Sequence, residues 1–271
     1  MSDNAFHGTA KGRVLVIAGS DSGGGAGIQA DIKAITMLGG YAATAVTAIT
    51  VQNTLGVHGV YPVPLDVISA QARCVLEDIG TDAVKTGMLG TVEVVETVAA
   101  LLDEANAPAV VDPVMIAKGG HPLLPDLAVE AVKSLMLPRA ALLTPNAPEA
   151  EALTGLVITD IDGQRRAGEA LLEMGAKAVL MKGGHVAGDI VKDLLMTVDG
   201  ETVLESERIY SMHTHGTGCT LASACAAGIA KGLPLHIAVA EGWAYVAEAI
   251  RRAPGLGGGH GPLDHAWPVR R

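Results

Sequence analysis

Aromatic residues are scarce in this 271-residue chain: two Trp, four Tyr and one Phe, 3% in all. With 49% of residues apolar, the core must be built from Val, Ile, Leu and Ala. That composition suits alternating strands and helices rather than an aromatic-rich β-sandwich. Cysteine is scarce too. Cys74, Cys219 and Cys225 are odd in number and match no zinc or disulfide spacing. A reducing compartment fits, and the expected location is the cytoplasm. No run approaches the roughly 20 apolar residues that cross a bilayer, and residues 1–12 (MSDNAFHGTAKG) hold no signal-like apolar stretch. A membrane is therefore not an expected partner. Nor is nucleic acid, because the chain lacks a positive balance: 19 Lys and Arg against 29 Asp and Glu leave a charge of −10.

What is present is alternation. Strand-like runs at 13–18, 43–51, 83–85, 109–111, 141–143, 178–181, 190–198 and 203–209 are separated by helical patterns. The helical stretches are 27–38, 67–76, 92–104, 127–135, 149–153, 163–174, 217–231 and 237–252. The last two strands can pair as a hairpin across Asp199-Gly200. The expected fold is α/β, a mainly parallel central sheet with helices on both faces. No repeat or linker divides it, so residues 13–271 are read as one domain behind a flexible segment 1–12. The glycine-rich stretch 255–265 (GLGGGHGPLDH) reads either as a flexible tail or as a loop folded over a ligand.

Polar and glycine residues gather after the strands, where doubly wound sheets bind ligands. Residues 19–27 (GSDSGGGAG) open a helix but match neither a Walker loop nor a dinucleotide fingerprint. They serve a tight turn or a close approach to a ligand. Gly216-Thr217-Gly218-Cys219 begins another helix, where unpaired N–H groups and the helix dipole form an anion site suited to a transferring phosphoryl group. A thiol in a first helical turn tends to ionise more readily, so Cys219 is a candidate base. It is equally a small buried residue at a glycine-capped start. His213-Thr214-His215 has metal-like spacing but no third ligand, which favours a loop or core role. Asp112 and Glu149 are helix caps, turn formers or magnesium ligands acting through water. Lys182 suits phosphate neutralisation, and Met88 and Val114 suit pocket walls.

Seven ordered segments carry a resemblance over residues 14–265: IAGSDSGGGAGIQAD at 17–31, AITVQNTLGV at 48–57, KTGML at 85–89, DPVM at 112–115, LTPNAPEAEAL at 143–153, MKGGH at 181–185 and HGTGCTL at 215–221. GHGP at 259–262 adds to them. Together they resemble the ribokinase superfamily, and within it the hydroxymethylpyrimidine/phosphomethylpyrimidine kinases of thiamine biosynthesis. The resemblance implies a cytoplasmic transferase that uses ATP and Mg2+. It would phosphorylate 4-amino-5-hydroxymethyl-2-methylpyrimidine, then the monophosphate to the diphosphate. Pyridoxine or pyridoxal kinase activity on the same fold is the alternative. By motif, Gln52 would bind the aminopyrimidine, and Gly19, Ala26, Asp31, Met88 and Val114 would line its pocket. Gly216, Thr217 and Gly218 would form the anion hole with Cys219. Asn146, Glu149 and Lys182 would serve the magnesium-bound ATP phosphates, with Asp112 nearby. Most of the superfamily has Asp where Cys219 stands, which points to the pyrimidine branch. Ser22-Gly23 departs from the Pro-Ser of many relatives. No large lid is expected, so the glycine loop or the tail would shield the site. A homodimer is compatible with the resemblance, although no apolar stripe marks an interface.

Overall fold

The structure is a computed structural model that describes residues 12–115 and 126–270. The expectation for residues 1–11 lies outside them. Nine strands form one sheet: β1 (Arg13–Asp21), β2 (Tyr41–Asn53), β3 (Gly56–Pro62), β4 (Ala83–Thr86), β5 (Ala109–Val111), β6 (Ala140–Leu143), β7 (Ala178–Met181), β8 (Ile190–Thr197) and β9 (Gly200–Glu207). Their order is β3-β2-β1-β4-β5-β6-β7-β8-β9. β2, β1, β4, β5, β6 and β7 run parallel. Antiparallel pairs extend both edges, β2 with β3, β7 with β8, and β8 with β9. The chain leaves β1 for β2 on one side and later returns to β4 on the other. That reversal is the switch point at which such sheets bind ligands.

The helices are α1 (Gly27–Met37), α2 (Leu65–Asp78), α3 (Val92–Ala105), α4 (Asp126–Ala131, followed by a π turn over Val132–Met136), α5 (Ala147–Thr154), α6 (Ile161–Glu173), α7 (Thr217–Ala230) and α8 (Leu235–Arg251). Strand side chains alternate between the two faces of the sheet. Leu15, Ile17, Val84, Val111, Leu143 and Val179 therefore enter one core, with residues of α2, α3, α5 and α6. Val14, Val16, Val110, Leu142 and Leu180 enter the other, with α1, α7 and α8. Apolar residues on both faces explain why the central strands read as unbroken apolar runs.

Three expectations change. Strand β2 continues to Asn53 and turns into β3, an element the sequence reading lacks, so Gln52 sits in a paired strand opposite Val57. The tail is not loose. His260 N–H donates to Thr54 O at 2.8 Å, His215 N–H donates to Gly261 O at 3.1 Å, and Asp264 and His265 are buried. The tail thus ties the β2–β3 turn to the segment before α7. An exposed apolar face also exists, made by Ile49 and Val51 on β2 with Tyr61 on β3. Among the described residues no helix is long and apolar enough to cross a membrane.

Candidate active site

A cavity of about 850 Å³ opens at the carboxyl ends of the parallel strands. Gly19, Ala26, Gln52, Met88, Asp112, Val114, Asn146, Glu149, Lys182, Gly216, Thr217, Gly218 and Cys219 all line it. Six strand ends and the α7 start therefore bring together residues up to 200 positions apart, as the strand-end clustering implied.

The anion-binding end is the start of α7. Gly216 is its N-cap at φ +82°, and no side chain caps the helix. A Cβ on Gly216 would stand 1.7 Å from Gly25 O. Only glycine lets the glycine loop and the helix start close on each other here. The Thr217 N–H donates to Thr214 O at 3.3 Å, and the Gly218 and Cys219 N–H groups remain for a ligand. Lys182 Nζ stands beside them, 3.2 Å from Asp112 Oδ1 and 3.7 Å from Glu149 Oε2. Burial works against the Lys182 charge, but Asp112 and Glu149 outweigh it and hold the pKa above the ordinary lysine value. Burial pushes Glu149 up to about 7, against Lys182, with Asp112 adding to the rise. Glu149 and Asn146 also form a capping box on α5: Asn146 N–H donates to Glu149 Oε2 at 2.8 Å, and Glu149 N–H donates to Asn146 Oδ1 at 2.9 Å. This fixes Glu149 toward Lys182. Among the described residues no cluster of three or more His, Cys, Asp and Glu forms a metal cage.

A family model described as phosphomethylpyrimidine kinase matches residues 21–264. The chain belongs to the phosphomethylpyrimidine kinase family. The hydroxymethylpyrimidine/phosphomethylpyrimidine kinase of Streptomyces coelicolor is 51% identical over 94% of this chain and 95% of its own. Among solved structures, the pyridoxal kinase of Staphylococcus aureus in complex with ADP has a TM-score of 0.90 at 37% identity, covering 96% of both chains. The phosphomethylpyrimidine kinase of Clostridium difficile has a TM-score of 0.79 at 41% identity, covering 88% of this chain and 99% of its own. These likenesses establish the ribokinase-like fold.

Two site expectations of this kinase need correction. Asp31 does not line the cavity. It is fully buried beneath it, and its two carboxylate oxygens accept from Lys85 Nζ at 2.9 and 3.1 Å. Ser223 Oγ on α7 donates to the same group at 2.7 Å. Lys85 instead reaches the cavity wall. Burial opposes its charge, and Asp31 overcomes that and holds it protonated. The second correction concerns Cys219. Cys219 lines the cavity and is partly exposed there, yet burial of its thiol among protein atoms pushes it up to about 12. Lys85 and the Gly27 amide pull the other way without prevailing. The helix start does not make this thiol acidic, and burial works against a resting thiolate base.

Sequence reasoning also missed part of the site. Asp21 and His215 meet at 2.9 Å, and both line the cavity. His215 of the H-x-H motif thus serves the wall. The cavity is also lined by Asp193, Arg208, Trp243 and Ile250. Asp193 accepts from Gly183 N at 2.6 Å and from Trp243 Nε1 at 2.9 Å. No motif signalled these residues, which come from β8, α8 and the segment after β9.

Proposed function

We propose that this kinase transfers the γ-phosphoryl group of ATP to 4-amino-5-hydroxymethyl-2-methylpyrimidine, and then to its monophosphate, yielding the diphosphate used to build thiamine diphosphate. The observation that carries the reading is one cavity holding Gln52 at one wall and the Lys182 ammonium at the uncapped α7 start. A ring alcohol bound along Gly19, Ala26, Met88 and Val114 places its hydroxymethyl group toward Gly216–Cys219. There the first-turn N–H groups and Lys182 meet the charge that develops on the equatorial phosphoryl oxygens. Cys219 closes this hole as a neutral thiol. A loose phosphoryl-transfer transition state asks little of a base, so a thiol near 12 is no obstacle.

Magnesium accompanies ATP in this reading. Asp112 and Glu149 offer two hard carboxylate oxygens beside Lys182, a donor set suited to an ion that keeps most of its waters. Held there through water, it would neutralise phosphate charge. Asn146 caps α5 and keeps Glu149 in place. The nucleotide would extend toward Trp243 and Ile250. The apolar face of β2 and β3 supports a homodimer, which sedimentation analysis would detect.

The pyridoxal kinase reading is favoured by the 0.90 TM-score of the Staphylococcus aureus enzyme. Both substrates are flat heteroaromatic alcohols. A coupled ADP-release assay with the pyrimidine alcohol, its monophosphate, pyridoxal and ribose separates them. The pyrimidine pair should give the highest kcat/KM. Turnover of pyridoxal alone would transfer the assignment, and turnover of ribose alone would end both readings.

A further inference from the structure

We propose that Asp21 and His215 fix the polarity of Gln52, so that its amide presents an N–H donor to the cavity and selects a ring-nitrogen acceptor. This rests on the reading that Gln52 meets the substrate ring.

The argument begins at Asp21. Its carboxylate accepts from the backbone N–H groups of Gly23, Gly25 and Ala26 at 2.7, 3.1 and 2.8 Å. Burial raises its pKa, but the His215 ring and the Ala26 and Gly23 amides outweigh burial and hold it below the ordinary carboxylate value. Asp21 is therefore ionised and has no proton to give. His215 Nε2 lies 2.9 Å from Asp21 Oδ2, so Nε2 must carry the proton. This holds for the neutral Nε2–H tautomer and for the imidazolium alike.

The end of the Gln52 amide lies 3.0 Å from that same Nε2. An NH2 group there would oppose two donors. The carbonyl oxygen must take this place and share the Nε2 proton, a half-turn of an amide whose two ends have nearly equal shape. The amide nitrogen then stands 3.5 Å from Thr50 Oγ1. Thr50 spends its own proton on Ser20 O at 3.0 Å, so it offers only lone pairs. A contact of 3.5 Å is weak, and Gln52 and Thr50 both line the cavity, which leaves amide N–H groups for a ligand.

The rest of Gln52 is equally constrained. Ser22 Oγ donates to Gln52 O at 2.7 Å, and Gln52 N–H donates to Ser22 Oγ at 2.9 Å. A freely turning amide would satisfy either an acceptor or a donor on the ring. One locked as a donor leaves its hydrogen bond unmet when the ring atom is C–H, and such sites discriminate strongly. Asp21 and His215 thus act as positioning residues for specificity, and they couple the glycine loop and the segment before α7 to the substrate wall.

The test is calorimetric binding to the full-length protein. The ligands are the pyrimidine alcohol, its two analogues with one ring nitrogen replaced by C–H, and the analogue lacking the exocyclic amino group. Wild type should bind one of the two C–H analogues roughly tenfold more weakly than the parent, a step of about 1.4 kcal/mol. Gln52→Met should abolish that difference. Asp21→Ala removes the acceptor that holds the Nε2 proton in place and frees the Gln52 amide to turn, and His215→Phe removes the shared proton. Both should erase the tenfold ratio, while the effect of removing the amino group stays as in wild type. A structural role alone would weaken every ligand equally and leave the ratio intact, which overturns the proposal. If either variant fails to fold, the other decides alone. Wild type that fails to bind the alcohol ends the functional reading as well. Wild type that binds it without regard to ring nitrogen ends this inference alone.

Discussion

The Lys182 ammonium lies 3.2 Å from the point where a Cβ on Gly218 would stand. The next atoms there are the Asp112 carboxylate oxygens, at 3.7 and 3.9 Å. The absence of a side chain at the second residue of α7 thus keeps the space between the helix start and the lysine open. Gly218→Ala should fill it and displace Lys182. Misaligning one donor of such a hole typically costs on the order of 10²–10³ in kcat. Stability should move the other way, because Ala inside a helix gains about 0.5–1 kcal/mol over Gly. Steady-state kinetics and urea unfolding of the variant check both halves. An unchanged kcat would show that the space is not used.

Cys219 should behave as an unreactive thiol. Burial pushes it up to about 12, so at pH 8 about one molecule in ten thousand carries the thiolate that reacts. Cys74 is exposed and serves as an internal reference. With iodoacetamide at pH 8, mass spectrometry should find Cys74 alkylated and Cys219 untouched, and kcat should show no limb from Cys219 between pH 6 and 10. Rapid, selective loss of activity through Cys219 at pH 8 would restore the thiolate base.

The central strands were legible because alternate residues feed two apolar cores, leaving runs such as Val14–Ala18 without polar interruption. β3 was not legible. Its sequence GVHGVYP is mostly exposed and becomes a strand only because the turn after Asn53 brings it back along β2. The glycine loop and the α7 start were visible as motifs, yet their meeting at Gly25 O and Gly216 was not. The same holds for Asp31 with Lys85, 54 positions apart, and Asp21 with His215, 194 apart. Each was seen singly, since partners chosen by sheet order leave no local spacing. The Asn146–Glu149 capping box is different. Its three-residue spacing is a local signal that could have been read beforehand.

The Asp31–Lys85 pair should matter most when broken from one side. Both side chains are fully buried, so either charge alone would lose its counter-charge, Asp31 keeping only the Ser223 hydroxyl. Lys85→Met or Asp31→Asn should destabilise the fold by about 3–5 kcal/mol, whereas the paired change Asp31→Leu with Lys85→Met should recover most of that loss. Urea midpoints of the three variants form the cycle. Additive losses in the double variant would show that the two groups do not act as a pair.

Acid should weaken the α7 start through His265. Burial pushes this imidazole down to about 4, Lys33 pushes further, and Asp264 and the Leu263 carbonyl resist. Its Nε2 lies 2.9 Å from Thr220 Oγ1, which in turn donates to Gly216 O at 2.8 Å. The ring therefore braces the first turn of the helix from the tail. A histidine whose pKa is depressed in the folded state binds its proton more readily when unfolded. Its contribution to stability is complete above the ordinary histidine value of 6.5 and is lost as pH falls toward about 4. The full loss is roughly 3 kcal/mol. Carboxylates add their own acid slope, so the informative quantity is the difference between wild type and His265→Gln. Wild type should be more stable at pH 7, and the gap should close as pH falls from 6.5 to 4.5. A gap that stays constant across that range would mean that His265 is held by shape alone and that its proton plays no part.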